Sequence, residues 1–228
     1  ASRNFANKVW NASRFILMNM EKAEIKEEMP ENLMSADKWI LSKVNGLVKE
    51  VTENMEKYEL GIALQKIYDF IWEEFCDCYI EMVKPRLYQE NDGTKEAALW
   101  TLKMVLTTSL KLLHPFMPFI TEEIFCTLQS EEESIMVSNW PEYHKEWDNL
   151  EAEQKAELIK TLVRGIRNSR TEMNVAPSRK AKVYLVADNE KTCEALKELA
   201  DSYQHMISAS EVLIQMDKSG IEDNAVSV

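Results

Sequence analysis

A chain of 228 residues with 45% hydrophobic content can bury the core of one sizeable domain, or of one domain with a smaller appendage. Five Gly and six Pro are too few for a loop-rich or all-β protein. The net charge of -12 and the sequence pI near 4.9 set the chain as a whole apart from nucleic-acid binders, so any basic footprint has to be local. Cys76, Cys78, Cys126 and Cys193 lack disulfide-framework spacing, which makes a reducing cytoplasm the expected location. No apolar run approaches the roughly 20 residues that span a bilayer.

Residues 2–20 read as a first helix, with Phe5, Val9, Ala12, Ile16 and Met20 on one apolar face. An acidic connector with Pro30 follows, and Ser35 is placed to cap a second helix striped by Ile40, Val44, Leu47, Val48, Val51 and Met55. A third helix begins after Tyr58. It turns Leu60, Ala63, Leu64, Ile67, Ile71, Trp72 and Phe75 inward and is expected to stop at Pro85. Asn91-Asp92-Gly93 marks a turn. A fourth helix runs from about Thr94 to Leu113, and Pro118 suits the first turn of a fifth, ending at Leu128. Ile135-Met136-Val137 reads as a short extended piece, and a long helix follows from Leu150 to Asn174.

The pattern then changes. Residues 182–186 and 212–216 are β-rich and flank a helix over 189–201, a strand-helix-strand unit. The expected architecture is mainly α: a helical bundle over 1–174 and a small C-terminal α/β appendage over 175–228, with the tail from Gly220 reading as a cut end. Two strands alone make a marginal sheet, so the appendage needs further strands or support from the bundle.

No Gly-rich phosphate loop and no Cys/His metal pattern occurs. Cys76 and Cys78 are two apart, which on a helix points them about 200° from each other, so structural cysteines are expected. His114, before Pro115, has no neighbouring nucleophile or orienting acid and reads as a helix-end histidine. Glu73, Asp77 and Glu81 share a helix face that reads as solvated.

Two basic strips stand out. At about 100° per residue, Arg3, Asn7, Asn11 and Arg14 of the first helix fall within an arc of about 80°, with Trp10 at its edge. With Lys8, residues 1–20 carry three basic side chains and no acid. Asn reads base edges, Arg pairs with phosphate or base, and an aromatic ring stacks, so this face suits splayed-out RNA bases. In the long helix Lys160, Arg164, Arg167, Thr171 and Asn174 share one side, with Arg170 at its border. Residues 160–182 hold seven basic side chains against one acid, Glu172, a pattern that suits a phosphate track. On residue pattern alone, a charged face that meets water or docks on another domain is the more ordinary account of either strip.

At these residues the chain resembles a known family. Arg3-Asn4-Phe5-Ala6-Asn7-Lys8-Val9-Trp10-Asn11-Ala12-Ser13-Arg14-Phe15 is similar to the helix that follows the catalytic domain in class I aminoacyl-tRNA synthetases, in the form seen in valyl-tRNA synthetases. Phe75-Cys76-Asp77-Cys78-Tyr79-Ile80-Glu81, the block from Leu112 to Ile124 around His114-Pro115-Phe116-Met117-Pro118-Phe119, and Trp140-Pro141 follow in the family's order. So does Ile166-Arg167-Asn168-Ser169-Arg170 with Glu172-Met173-Asn174-Val175. Cys78 and Phe125 stand where the family usually has Trp, both packing changes.

The resemblance implies an anticodon-binding bundle that positions valine tRNA, gripping its anticodon stem-loop, for ATP-dependent aminoacylation by a catalytic domain outside this chain. It also implies an editing domain elsewhere, and main identity elements at the middle and third anticodon bases. The class signatures, His-x-Gly-His and Lys-Met-Ser-Lys-Ser, do not occur here, so the chain itself is expected to be no enzyme and to hold no cofactor, ATP belonging to the missing catalytic domain. Asn7, Lys8, Trp10, Asn11, Arg14, Arg164, Arg167 and Arg170 are the expected tRNA contacts. The alternative is an interdomain docking module for the catalytic and editing domains, with little RNA binding of its own.

Overall fold

A computed structural model describes residues 2–21, 23, 25–89, 93–176, 178–222 and 225–226. The chain divides into two compact units, Ala1–Glu153 and Gln154–Val228. The division falls inside the long helix rather than at residue 174, where the sequence pattern changes. The expected turn at Asn91-Asp92-Gly93 has its first two residues outside the described set.

The first unit is a helical bundle. Its elements are α1 (Ser2–Met20), α2 (Ser35–Glu56), α3 (Leu60–Asp69), a π-helical stretch (Phe70–Tyr79), α4 (Ile80–Tyr88), α5 (Lys95–Leu113) and α6 (Pro118–Leu128). The apolar stripes meet as the periodicity requires: Ile40, Val44 and Val51 of α2 face a core shared with Leu99, Leu102 and Leu110 of α5, all buried. α1 adds Phe5, Val9 and Ile16, and packs against the π stretch, α5 and α6. Cys78 and Phe125, the two departures from the family pattern, are both buried.

Four local expectations change. Ser35 is the first residue of α2 rather than its cap, and the Asp37 carboxylate instead accepts the Met34 N–H at 2.9 Å. Pro85 does not end the third helical run, which continues to Tyr88. Proline removes one N–H and crowds the preceding turn. The turn beyond it is held from outside, because Leu87 is buried and Arg86 is gripped by Asp37. Leu60 and Leu64 of α3 are exposed and Trp72 is half-buried, leaving Ala63, Ile67, Phe70, Ile71 and Phe75 as the inward set. Finally, Ile135–Val137 is one 3-10 turn, closed by the Ser134 hydroxyl accepting the Met136 N–H at 3.0 Å.

Buried polar groups join the elements. Asp37, wholly buried, accepts from Arg86 Nη1 at 2.7 Å and Nη2 at 2.9 Å and from the Tyr79 hydroxyl at 2.7 Å. Burial, then the Asp37 charge, pushes the Tyr79 hydroxyl pKa well up, so it stays a protonated donor. On α2, Asn45 exchanges hydrogen bonds with the backbone of His144, both at 2.8 Å, and Ser42 donates to Glu153 at 2.5 Å. These bonds seat the connector that leads into α7 (Leu150–Glu172).

Within the second unit, β1 (Ala181–Val186) and β2 (Ala209–Gln215) pair in parallel, with Val183 opposite Val212 and Leu185 opposite Ile214. α8 (Glu190–Glu198) and α9 (Ala200–Tyr203) make the crossover. Asn189 caps α8 by accepting the Thr192 N–H at 2.9 Å, and the buried Tyr203 hydroxyl donates to the Leu196 carbonyl at 2.9 Å.

Asp37→Ala strands the Arg86 guanidinium in a buried site. The expected loss is about 3–5 kcal/mol of unfolding free energy, measured by urea denaturation of the two proteins. A loss below about 1 kcal/mol would show the pair to be dispensable.

Candidate nucleic-acid interface

Phe5, Val9, Ser13 and Ile16 are buried on the side of α1 that faces the bundle, and the opposite face meets solvent. Arg3, Asn7, Asn11 and Arg14 are exposed along it, and Trp10 stands 45% exposed at the border. None of these five side chains has a hydrogen-bond, ion-pair or ring partner among the described residues. An exposed indole beside two free amides and two free guanidinium groups offers stacking, base-edge hydrogen bonding and phosphate pairing together. Met18, also exposed, lies on the same arc. The 100° arithmetic could have found it, because it projects between Asn7 and Asn11.

Lys8 stands apart from this group. Its ammonium lies 2.6 Å from Asp77 Oδ1 and 3.9 Å from the centroid of the Trp72 ring. Trp72 stacks in turn on Tyr68 and Phe5, with centroids 5.6 and 6.5 Å away. Neither Asp77 nor Trp72 is picked out by the sequence, in which Asp77 reads as part of a solvated acidic face and Trp72 as core.

The second basic strip lies on α7 within the second unit, and its members differ. Arg164 is exposed and has no hydrogen bond or ion pair among the described residues. Arg167 donates through Nε to the Met206 carbonyl at 3.0 Å. Arg170 donates through Nη2 to the carbonyls of Ala176 and Arg179. It holds the loop after α7, where Asn174 takes the left-handed conformation at φ +53 and the Val175 N–H closes on the Arg170 carbonyl at 2.8 Å. Lys160 pairs with Glu157 at 2.8 Å, and the Thr171 hydroxyl turns back to the Arg167 carbonyl. Arg179 and Lys180 beyond the helix are exposed.

The residues with latent chemistry are otherwise occupied. Burial pushes the Cys76 thiol up to about 12, which leaves it protonated and a poor nucleophile. His114 ends α5, its Nδ1 2.6 Å from the Thr121 hydroxyl and its Nε2 2.9 Å from the Met136 sulfur. Among the described residues no group of His, Cys, Asp or Glu side chains is arranged to hold a metal ion, and no helix is long and apolar enough to cross a membrane.

Comparison with known proteins assigns this architecture. Residues 37–185 match the model of the anticodon-binding domain of tRNA ligase. The chain belongs to that family. It is also similar over its whole length to the valine--tRNA ligases of Clostridium perfringens, at 51% identity, and of Clostridium tetani, at 48% identity. The valine--tRNA ligase of Oceanobacillus iheyensis is 43% identical over 92% of the chain. The chain spans about a quarter of the length of these relatives, 26% of the first two and 24% of the third. The family model begins at residue 37, so α1 rests on the longer relatives.

The contrast between Arg164 and Arg170 can be measured. Arg164→Ala is expected to leave the melting temperature unchanged and, if Arg164 pairs with a phosphate, to lower the salt dependence of RNA binding by about one. Arg170→Ala loses the two carbonyl contacts and should cost about 1 kcal/mol of stability, read by denaturation.

Proposed function

We propose that this chain is the anticodon-binding region of a valine--tRNA ligase and that the exposed face of α1 reads the anticodon loop of valine tRNA. The observation that carries this reading is the row Asn7, Trp10, Asn11 and Arg14, exposed and without a partner among the described residues, on a helix with no acidic side chain. Exposed and unbonded within the described residues, these side chains keep their donors, acceptors and ring face open to a ligand. In this reading Asn7 and Asn11 hydrogen-bond base edges, Trp10 stacks on a splayed base, and Arg14 pairs with phosphate or base. Arg164 grips backbone phosphate, and Arg167 and Arg170 offer their remaining donors to the same purpose. The identity of valine as the amino acid rests on the names of the relatives. Activation with ATP, transfer to tRNA and editing belong to the remaining length of the enzyme, and this chain contributes no catalytic group. A cytoplasmic location belongs to the same reading.

A second reading has its own support. Phe119 at the start of α6 is 90% exposed, and Met136 and Val137 are 72% and 73% exposed. Side chains of this kind suit docking against another protein surface, and the catalytic and editing domains are the partners this reading assigns. Both readings hold together if α1 meets RNA and α6 meets protein.

The test is fluorescence anisotropy of this chain with valine tRNA and with the same tRNA altered at its middle anticodon base, at low and moderate salt. Weaker binding of the altered tRNA is the expected result. Equal binding of both would reduce the role to phosphate contact, and absence of binding by the folded chain would leave the docking reading.

A further inference from the structure

The π-helical stretch Phe70–Tyr79 carries the two groups that hold Lys8. Trp72 and Asp77 are five residues apart. On an α-helix that spacing points two side chains about 140° from one another. The i→i+5 ladder of a π-helix brings such residues back toward one side. Here one ammonium touches both, 2.6 Å from the Asp77 carboxylate and 3.9 Å from the Trp72 ring centroid. The Lys8 side chain is only 21% exposed, whereas Asp77 keeps 57%. Phe5, one turn before Lys8, lies against the same indole at 6.5 Å and against Tyr68 at 4.6 Å. Beside the buried Val9, α1 thus meets the π stretch through one apolar side chain, Phe5, and one charged one, Lys8. Lys8 sits between Asn7 in sequence and Asn11 one turn on, at the border of the exposed face.

We propose that Lys8 is a positioning residue and not an RNA contact: clamped by Asp77 and Trp72, it fixes the rotation of α1 and so aims Asn7, Asn11 and Arg14 at the anticodon loop. The proposal rests on the tRNA reading above. It assigns the π turn a purpose, because a regular α-helix through residues 70–79 would separate the carboxylate from the ring and leave Lys8 one partner instead of two.

Opposite signs separate this from direct contact. If Lys8 met phosphate, Asp77 would compete for its ammonium, and Asp77→Asn would tighten RNA binding. If Lys8 positions α1, Asp77→Asn and Lys8→Met each release the same clamp and weaken it. The experiment measures anisotropy binding of valine tRNA and of the middle-base variant across a salt series. It uses the wild-type chain, Lys8→Met, Asp77→Asn, the double variant and Lys8→Arg. The expected result is a loss of roughly two- to tenfold for either single variant, with a slope against salt unchanged. Preference for the unaltered anticodon should shrink. The double variant should be no worse than the singles, because the pair acts as a unit, and Lys8→Arg should restore binding, since a guanidinium also stacks on an indole and pairs with a carboxylate.

Two results would overturn the proposal while leaving the tRNA reading intact. One is a slope that falls by about one on Lys8→Met together with tighter binding by Asp77→Asn. The other is wild-type affinity and preference in both single variants. If the wild-type chain shows no preference between the two tRNAs, the anticodon reading falls first and takes the clamp's role with it.

Discussion

The bundle depends on one buried carboxylate. Asp37 sits wholly out of solvent at the start of α2 and receives donors from three directions: the Met34 N–H, the Tyr79 hydroxyl at the end of the π stretch, and both terminal nitrogens of Arg86 on α4. Arg86 also reaches the Thr94 hydroxyl and carbonyl just before α5, each at 2.8 Å. A charge buried without partners would cost several kcal/mol. With its oxygens satisfied, the same charge fixes the relative positions of α2, the π stretch, α4 and the entry to α5. The helix continues through Pro85 because its next turn is anchored here, and the π stretch has a fixed end from which its register is counted.

That register reaches the surface. Tyr79, pinned by Asp37, ends a stretch whose exposed side presents Trp72 and Asp77 to α1. The apolar contacts of Phe5, Val9 and Ile16 would hold α1 to the bundle with some freedom to roll, since apolar packing is only weakly directional. The Lys8 clamp is directional. A polar face that reads bases by hydrogen bonding tolerates little rotation, because hydrogen bonds weaken steeply with angle. On the proposed reading, one distorted helix joins a structural need in the core to a recognition need at the surface.

Much of this was legible in the sequence. α1, α5 and α6 follow from unbroken apolar periodicity, from Pro118 in a first turn and from the break at His114-Pro115. The exposed face of α1 followed from the same arithmetic. The strand-helix-strand unit was visible from two short β-rich runs, and the parallel pairing is the one a crossover of this length permits. What the sequence hid was tertiary. Pro85 reads as a stop because nothing local reveals Arg86 bonding to Asp37, 49 residues earlier. The π turn has no composition of its own, so the sequence does not place Trp72 and Asp77 on one side, and Lys8 reads like its neighbours on α1. In a helical projection Arg167 shares a face with Arg164 and Arg170 stands at its border, yet carbonyls from residues 176–206 occupy Arg167 and Arg170 and, among the described residues, not Arg164.

Photocrosslinking from position 11 tests the central claim most directly. A photoreactive amino acid replacing Asn11 in this chain, irradiated with whole valine tRNA and mapped by primer extension, should label nucleotides of the anticodon loop. Adducts confined to another part of the tRNA, or formed equally with a tRNA of unrelated anticodon, would contradict the assignment of α1 as the face that reads it.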